Sequence, residues 1–293
     1  MERKTHMDAT GAAGLVLFGM ILAFNQVVIK VTNGGFGPVF AAGMRSVIAL
    51  AALMLYMRLR HIRADVTPGV AWSGLLVGGL FAFEFVCLYL SLDLTTVSRV
   101  SVIFYSMPVW TSLAAHFLLP GERLNAVRGA GLVIAMLGVV LAVLDRQGGE
   151  ASLLGDILAL GAALGWGGIA LAVRLTPMAS ARPETQLVWQ LAVSAPLLIG
   201  AAFLFGPLVR DPMPLHLSGL LFQSLVVAFA GYLTWFFFMA RYPASSVVSF
   251  SFLSPVFSVL MGWLILGERV GPAIWGALAL VAIGLILINR KSG

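Results

Sequence analysis

Glu84 is the only carboxylate in the interior of any long apolar run of this 293-residue chain, and Arg45 lies well inside another. A charge near the centre of a bilayer costs on the order of 2.5 to 3.5 kcal/mol on insertion scales, so such residues face a cavity or a partner. At about 1.5 Å per helical residue, Arg45 sits about 10 Å from the end of its run at Pro38, and Glu84 falls at a similar depth in the next run. Their depths permit a pair. Two chemistries are open to them: together they could receive the carboxylate and the ammonium of a zwitterion, or they could neutralise each other and hold two helices together. Lys30 and Arg99 stand nearer the ends of their runs and are read first as structural, with long side chains that reach polar surroundings.

Pro108 and Pro255 form a second group of candidates. Each interrupts an apolar run near its middle, where a proline removes a backbone donor and bends a helix, and non-ideal backbone at membrane depth is tolerated only against protein or a cavity. Ser101, Tyr105, Ser106 and Trp110 surround the first, and Ser249, Ser251 and Ser254 the second. Their hydroxyls could bind a polar head group or simply bond their own helices. Aromatic residues crowd residues 81–89 and 229–238. Of these and their neighbours, Trp166, Tyr232 and Trp235 are the candidates to stack against an aromatic ligand.

Catalytic constellations are missing from the sequence. His6, His61, His116 and His216 are scattered, and there is no H-E-x-x-H, no G-x-S-x-G and no glycine-rich phosphate loop with a lysine. Neither an enzyme nor a cofactor or metal site is expected. The lone Cys87 excludes an intramolecular disulfide.

These residues are positioned by apolar runs long enough to span a membrane. Sixty per cent of the chain is hydrophobic and only 10% is charged, which is the composition of a polytopic membrane protein. Ten spans are expected, at about 11–31, 38–57, 69–91, 97–119, 127–144, 154–175, 185–206, 216–240, 245–267 and 271–289. The first is too long for a signal-peptide core and lacks an A-x-A pattern, so it reads as a retained helix. The net charge of +6 comes from residues standing singly between runs and not from a basic patch, which argues against nucleic acid. With the N-terminus inside, twelve Lys and Arg residues fall on the cytoplasmic side and five on the other, Arg45 being the remaining one of 18. That bias places both termini in the cytoplasm.

The runs repeat. Residues 98–144 and 245–288 share a central proline, a closing Gly-Glu-Arg (Gly121, Glu122, Arg123 and Gly267, Glu268, Arg269) and a following glycine-dotted apolar run, with Pro120 the one inserted residue. Leu22–Lys30 aligns with Trp166–Arg174, and Pro38–Arg45 with Pro183–Gln190. Each unit, residues 1–146 and 152–293, holds five spans, an odd number, so the second enters the membrane from the opposite side. Inverted repeats of this kind are a recurrent plan of secondary transporters. Gln190 stands where Arg45 stands in the other half, which gives the site unlike ends. Glycines in the fifth and tenth spans are assigned to close packing.

The 5+5 plan, Asn25 and Lys30 in NQVVIK, Arg45, the central prolines and the two Gly-Glu-Arg ends resemble the drug/metabolite transporter superfamily, EamA type, across nearly the whole chain. The length and pocket segments look most like its YddG branch, which implies an inner-membrane exporter of aromatic and other amino acids. One departure stands out: the family's Trp at the position of Leu22 is kept only in the second copy, as Trp166. The expectation is an all-α carrier with ten transmembrane helices, working by alternating access on small-molecule substrates with no obligatory protein partner. Its candidate binding set is Asn25, Arg45, Glu84, Tyr105, Trp110, Trp166, Gln190, Tyr232, Trp235 and Ser251. A drug or nucleoside exporter of the same superfamily is the alternative.

Overall fold

The computed structural model describes residues 8–119, 124–145, 151–242, 250 and 253–289. Helices α1 (Ala9–Gly35), α2 (Pro38–Leu59), α3 (Pro68–Leu94), α4 (Val97–Phe104), α5 (Met107–Leu118) and α6 (Ala126–Leu144) come first. They are followed by α7 (Leu153–Leu175), α8 (Pro183–Ala202), α9 (Pro214–Leu221), a π-helical segment (Phe222–Gly231), α10 (Tyr232–Arg241), α11 (Leu253–Leu266) and α12 (Pro272–Asn289). Among the described residues, nine helical spans are long and apolar enough to cross a membrane, α11 is a shorter apolar helix, and the only extended pairing is an isolated bridge between Phe36 and Val209.

Local sequence explains where the helices begin. The side chains of Asp8, Thr96, Asn125 and Ser152 each accept from the amide three residues on, which caps α1, α4, α6 and α7. Prolines open α2, α3, α8, α9 and α12, where a missing N–H leaves no bond unmade. Large apolar side chains such as Leu17, Trp72, Phe117 and Leu144 point outward, as a bundle surrounded by lipid requires.

Two expected spans differ in detail. The run at 97–119 is not one bent helix: it ends at Phe104, passes through a turn at Tyr105 and Ser106, and restarts at Met107. Pro108 opens the second piece, so a helix start replaces the expected bend. The run at 216–240 contains ten residues of π-helix, for which its sequence offers no marker. Pro255 is buried near the start of α11, and Ser249 and Ser251 lie outside the described residues, as do Gly121, Glu122 and Arg123. α8 also carries an internal proline, Pro196, and continues through it to Ala202.

Packing joins the two parts of the chain. α6 lies along α12, α2 along α8, α1 along α11, and α3 against both α7 and α8. The α6–α12 contact depends on glycine: a Cβ at Gly284 would meet the Gly131 carbonyl oxygen at 2.5 Å, and one at Gly138 the Ala277 oxygen at 2.7 Å. Gly131, Gly138 and Gly284 therefore do the packing expected of the glycines of the fifth and tenth spans, whereas Gly129 faces open space.

Candidate functional site

A cavity of about 170 Å³ opens between α1, α3, the α4–α5 turn, α7, the π segment, α10 and α11, with α2 contributing Arg45. α1 supplies Phe18, Leu22, Asn25 and Gln26, and α3 supplies Glu84, Phe85 and Leu88. Phe104, Tyr105, Trp166, Val227, Gly231, Tyr232, Trp235 and Ser254 complete the wall.

Arg45 and Glu84 both reach this cavity, but they do not pair. Among the described residues no carboxylate lies within 4.0 Å of Arg45. Its guanidinium carbon instead sits 4.1 Å from the centre of the Phe85 ring, a cation–π contact. Nε and Nη1 of Arg45, Oε2 of Glu84 and Oδ1 of Asn25 are buried and have no hydrogen-bond partner. The depths of Arg45 and Glu84 permitted a pair, yet depth says nothing of direction around the helix axis. Gly165 of α7 packs against the backbone of Glu84, where a Cβ would come within 3.1 Å of the Glu84 Cα.

Aromatic rings bracket these charges. Trp166 stacks on Phe104 with centroids 5.1 Å apart and planes 19° from parallel, and Tyr105 meets Trp166 edge-on at 6.3 Å. Phe18 and Trp235 form a second stacked pair at 5.8 Å. Phe81 approaches Tyr232 at 6.3 Å from behind the wall. The Tyr105 hydroxyl faces the side chains of Gln26, Ser254 and Ser258, and the two serine oxygens make no hydrogen bond of their own.

Of the expected binding set, Asn25, Arg45, Glu84, Tyr105, Trp166, Tyr232 and Trp235 come together in this cavity. Trp110 does not: its indole N–H donates to Ser106 Oγ at 3.0 Å. Trp110 stands on α5, beyond the turn that carries Tyr105 into the wall. Gln190 is buried in α8 but does not line the cavity. That helix uses its neighbouring positions for packing, with Trp189 over Gly74 and Ser194 Oγ 3.1 Å from Ser46 Oγ. Ser251 lies outside the described residues. Phe18, Leu22 and Gln26 are wall residues absent from the expected set. Their signal was present, since 18, 22 and 26 lie at i, i+4 and i+8 on the Asn25 side of α1.

A contrasting polar cluster surrounds the short link between α3 and α4. Lys30 Nζ donates to the carbonyls of Thr95 (2.7 Å) and Leu92 (3.3 Å). Arg99 grips Asp156 through Nε (3.2 Å) and Nη2 (2.7 Å) and donates also to the Asp145 carbonyl. Glu268 accepts from the amides of Val97 (2.6 Å) and Ser98 (2.9 Å) and from Ser98 Oγ (2.6 Å), so α11's end caps α4. Gly267, at φ 67°, takes the left-handed turn that brings Glu268 back. Gly262 leaves the room, because a Cβ there would stand 2.6 Å from the carboxylate. At the same end Arg210 forms a bidentate pair with Asp93 (2.7 and 2.8 Å) and donates to the Asn33 carbonyl at 2.9 Å. The Asp93 carboxylate beside it raises the Arg210 pKa above its ordinary value. Gln223 links Thr32 (2.8 Å) and Tyr89. At the other end, in the α2–α3 loop, the amide and hydroxyl of Thr67 hold the Asp65 carboxyl below its usual range. Lys30 and Arg99 thus carry structure, and Asp156 is the partner that sequence reasoning missed.

Comparisons with known proteins agree with this architecture. The sequence profile of the EamA-like transporter family matches residues 9–144 and again residues 153–290. A probable amino-acid metabolite efflux pump of Escherichia coli (strain K12) is 25% identical, over 93% of this chain and 92% of its own. The uncharacterized transporter YvbV of Bacillus subtilis (strain 168) is 26% identical over 98% and 94%. A riboflavin transporter of Rhizobium johnstonii is 28% identical over 93% and 83%. A solved crystal structure, 22% identical, shares the fold with a TM-score of 0.67 over 96% of both chains. A multi-pass helical bundle with a polar and aromatic cavity and a profile match over nearly its whole length, the chain belongs to the EamA-like transporter family.

Proposed function

We propose that this protein is a secondary transporter that exports amino acids, aromatic ones included, and similar small metabolites across the inner membrane by alternating access. The observation that carries the substrate class is the pair of unfilled poles: Arg45 and Glu84 both line the cavity, and each keeps buried polar atoms without a partner. A zwitterion satisfies both at once, with its carboxylate on Arg45 and its ammonium on Glu84. Asn25 and Ser254 lie on the same wall to share the head group. The stacked pairs Phe104–Trp166 and Phe18–Trp235 offer flat apolar faces to the side chain. A relative named as an amino-acid metabolite efflux pump supports the reading, as does the resemblance to the YddG branch.

Alternating access rests on two inverted five-helix repeats, residues 1–146 and 152–293. The pairing of elements supports this plan: the fifth span lies on the tenth, the second on the seventh, and the first on the ninth as the fourth lies on the sixth. By charge bias both termini are cytoplasmic, which puts the Asp93–Arg210 end of the bundle outside. A second reading, export of planar heteroaromatic compounds such as nucleosides, is favoured by the same stacked rings and by the relative named as a riboflavin transporter.

The test is counterflow in proteoliposomes containing only this protein, preloaded with unlabelled amino acids or nucleosides and offered labelled phenylalanine. Accumulation driven by internal amino acids, and reduced in Trp166→Ala, supports the first reading. Counterflow with nucleosides alone transfers the substrate to the second, and folded protein silent across the panel overturns both.

A further inference from the structure

Glu84 poses a problem that substrate binding solves for only half of a transport cycle. The empty carrier must also return. Glu84 is 4% exposed, has no cation within 4.0 Å among the described residues, and leaves Oε2 without a hydrogen bond. An ionised carboxylate left buried and unpaired is strongly destabilising.

The groups that face it offer little relief. Arg45 of α2 feels its charge but is turned onto the Phe85 ring. Tyr232 approaches from the start of α10, and Cys87 lies one turn on along α3. α1 brings the neutral amides of Asn25 and Gln26, the α4–α5 turn brings Tyr105, and α7 brings Trp166 and the bare backbone of Gly165. None of these replaces a counter-ion.

We propose that a proton occupies Glu84 in the empty carrier and that the substrate ammonium displaces it, so that this protein exchanges one proton inward for each amino acid exported. The inference rests on the reading of Glu84 as the ammonium pole. The balance is simple. On the cytoplasmic side the zwitterion's ammonium pairs with the Glu84 carboxylate as Glu84–COOH releases its proton to water. On the outer side the zwitterion leaves and Glu84 takes a proton from water. No covalent bond other than O–H is made or broken. The loaded site holds Arg45 (+1), Glu84 (−1) and a neutral zwitterion, whereas the empty site holds Arg45 (+1) and a neutral carboxyl. One positive charge therefore moves inward per cycle, and export responds to membrane potential as well as to pH.

The experiment uses proteoliposomes of the whole protein, with potassium and valinomycin holding the potential at zero and labelled phenylalanine on both sides at equal concentration. With the interior made more acidic, protons leave and phenylalanine accumulates inside, approaching about a tenfold concentration ratio per unit of pH difference for one-for-one exchange. An inside-positive potential at equal pH drives accumulation in the same direction. Normal counterflow with phenylalanine equal on both sides at every pH difference overturns the coupling and leaves the amino-acid reading standing. Absence of counterflow from folded protein overturns both. Titration of detergent-purified wild-type protein with phenylalanine in two buffers of different ionisation enthalpy provides a check that needs no variant. Release of about one proton per phenylalanine near neutral pH agrees with the proposal, and no release overturns it. Where Glu84→Gln folds, its proton release is zero.

Discussion

Among the described residues two arginine–carboxylate sets are buried, and they are finished differently. Arg99 and Asp156, from α4 and α7, meet fork to fork, and the remaining guanidinium nitrogen finds the Asp145 carbonyl. Arg45 and Glu84, from α2 and α3, are as deeply buried, at 2% and 4% exposure, yet keep polar atoms unfilled and point into a cavity. The chemistry is the same in both sets, so burial of charge alone does not mark a binding site. What sets the second apart is unfilled hydrogen-bonding capacity beside empty space, on which the proposed site rests. The closed set holds helices together, and the open set leaves polar atoms unmet.

The comparison predicts opposite consequences for loss of a carboxylate. Asp156→Ala leaves Arg99 buried without its counter-ion and is expected to destabilise the protein by about 3 to 5 kcal/mol, read as a lower midpoint in detergent unfolding. Glu84→Gln has no ion pair to break, so its stability stays within about 1 kcal/mol of wild type. Its phenylalanine counterflow falls by about tenfold or more, as expected where a charged pole of the substrate loses its partner. If Glu84→Gln unfolds as readily as Asp156→Ala, the two sets are alike and the distinction fails.

Glu268 belongs to the closed set and sharpens it. Its carboxylate receives three donors at the start of α4, the helix whose far end carries Phe104 and Tyr105 into the cavity. Glu268→Gln keeps the shape but turns an N–H₂ toward donors, which costs about 1 to 3 kcal/mol. Stability should fall less than in Asp156→Ala, and a transport defect should be repaired by Glu268→Asp only so far as the shorter side chain still reaches Val97 and Ser98. No loss of stability in Glu268→Gln would remove the cap from the structural set.

Much of this was legible in the chain because membranes make simple demands. Long apolar runs and their proline and glycine borders gave nearly all helix positions, and a carboxylate inside such a run drew attention to Glu84. The face of α1 could be read from its spacing, but how each helix is turned toward its neighbours was not legible. Depth along a helix suggested that Arg45 and Glu84 could pair, while the ring of Phe85 captures Arg45 instead. The same blindness put Trp110 and Gln190 in the expected site. Arg99 looked like a snorkelling side chain because Asp156 lies in the other half of the sequence. The π segment carries no residue pattern that distinguishes it from α-helix, yet it sets Val227 and Gly231 in the cavity wall.

The smallest effect is expected at the Arg210–Asp93 pair, which is charged like the closed set but is partly open to solvent, with side-chain exposures of 33% and 20%. Pairs of this kind contribute about 0.2 to 1 kcal/mol, and Arg210 keeps the Asn33 carbonyl when Asp93 is lost. Asp93→Asn should therefore leave the unfolding midpoint almost unchanged. Its effect should appear in the balance of conformations, because the pair ties the α8–α9 loop to the end of α3 and, through Asn33, to α1. A weakening of about 0.5 kcal/mol is roughly a twofold change in population. A cysteine placed at Leu22, in a Cys87→Ala background, should then react about twice as fast with a membrane-impermeant thiol reagent added from the Asp93 side. The difference between Asp93→Asn and its parent should shrink in 1 M salt, where charges are screened within about 3 Å. A stability loss near that of Asp156→Ala would mean that solvent exposure does not weaken this pair, and partner saturation alone would then separate the charges that hold the fold from those that work in it.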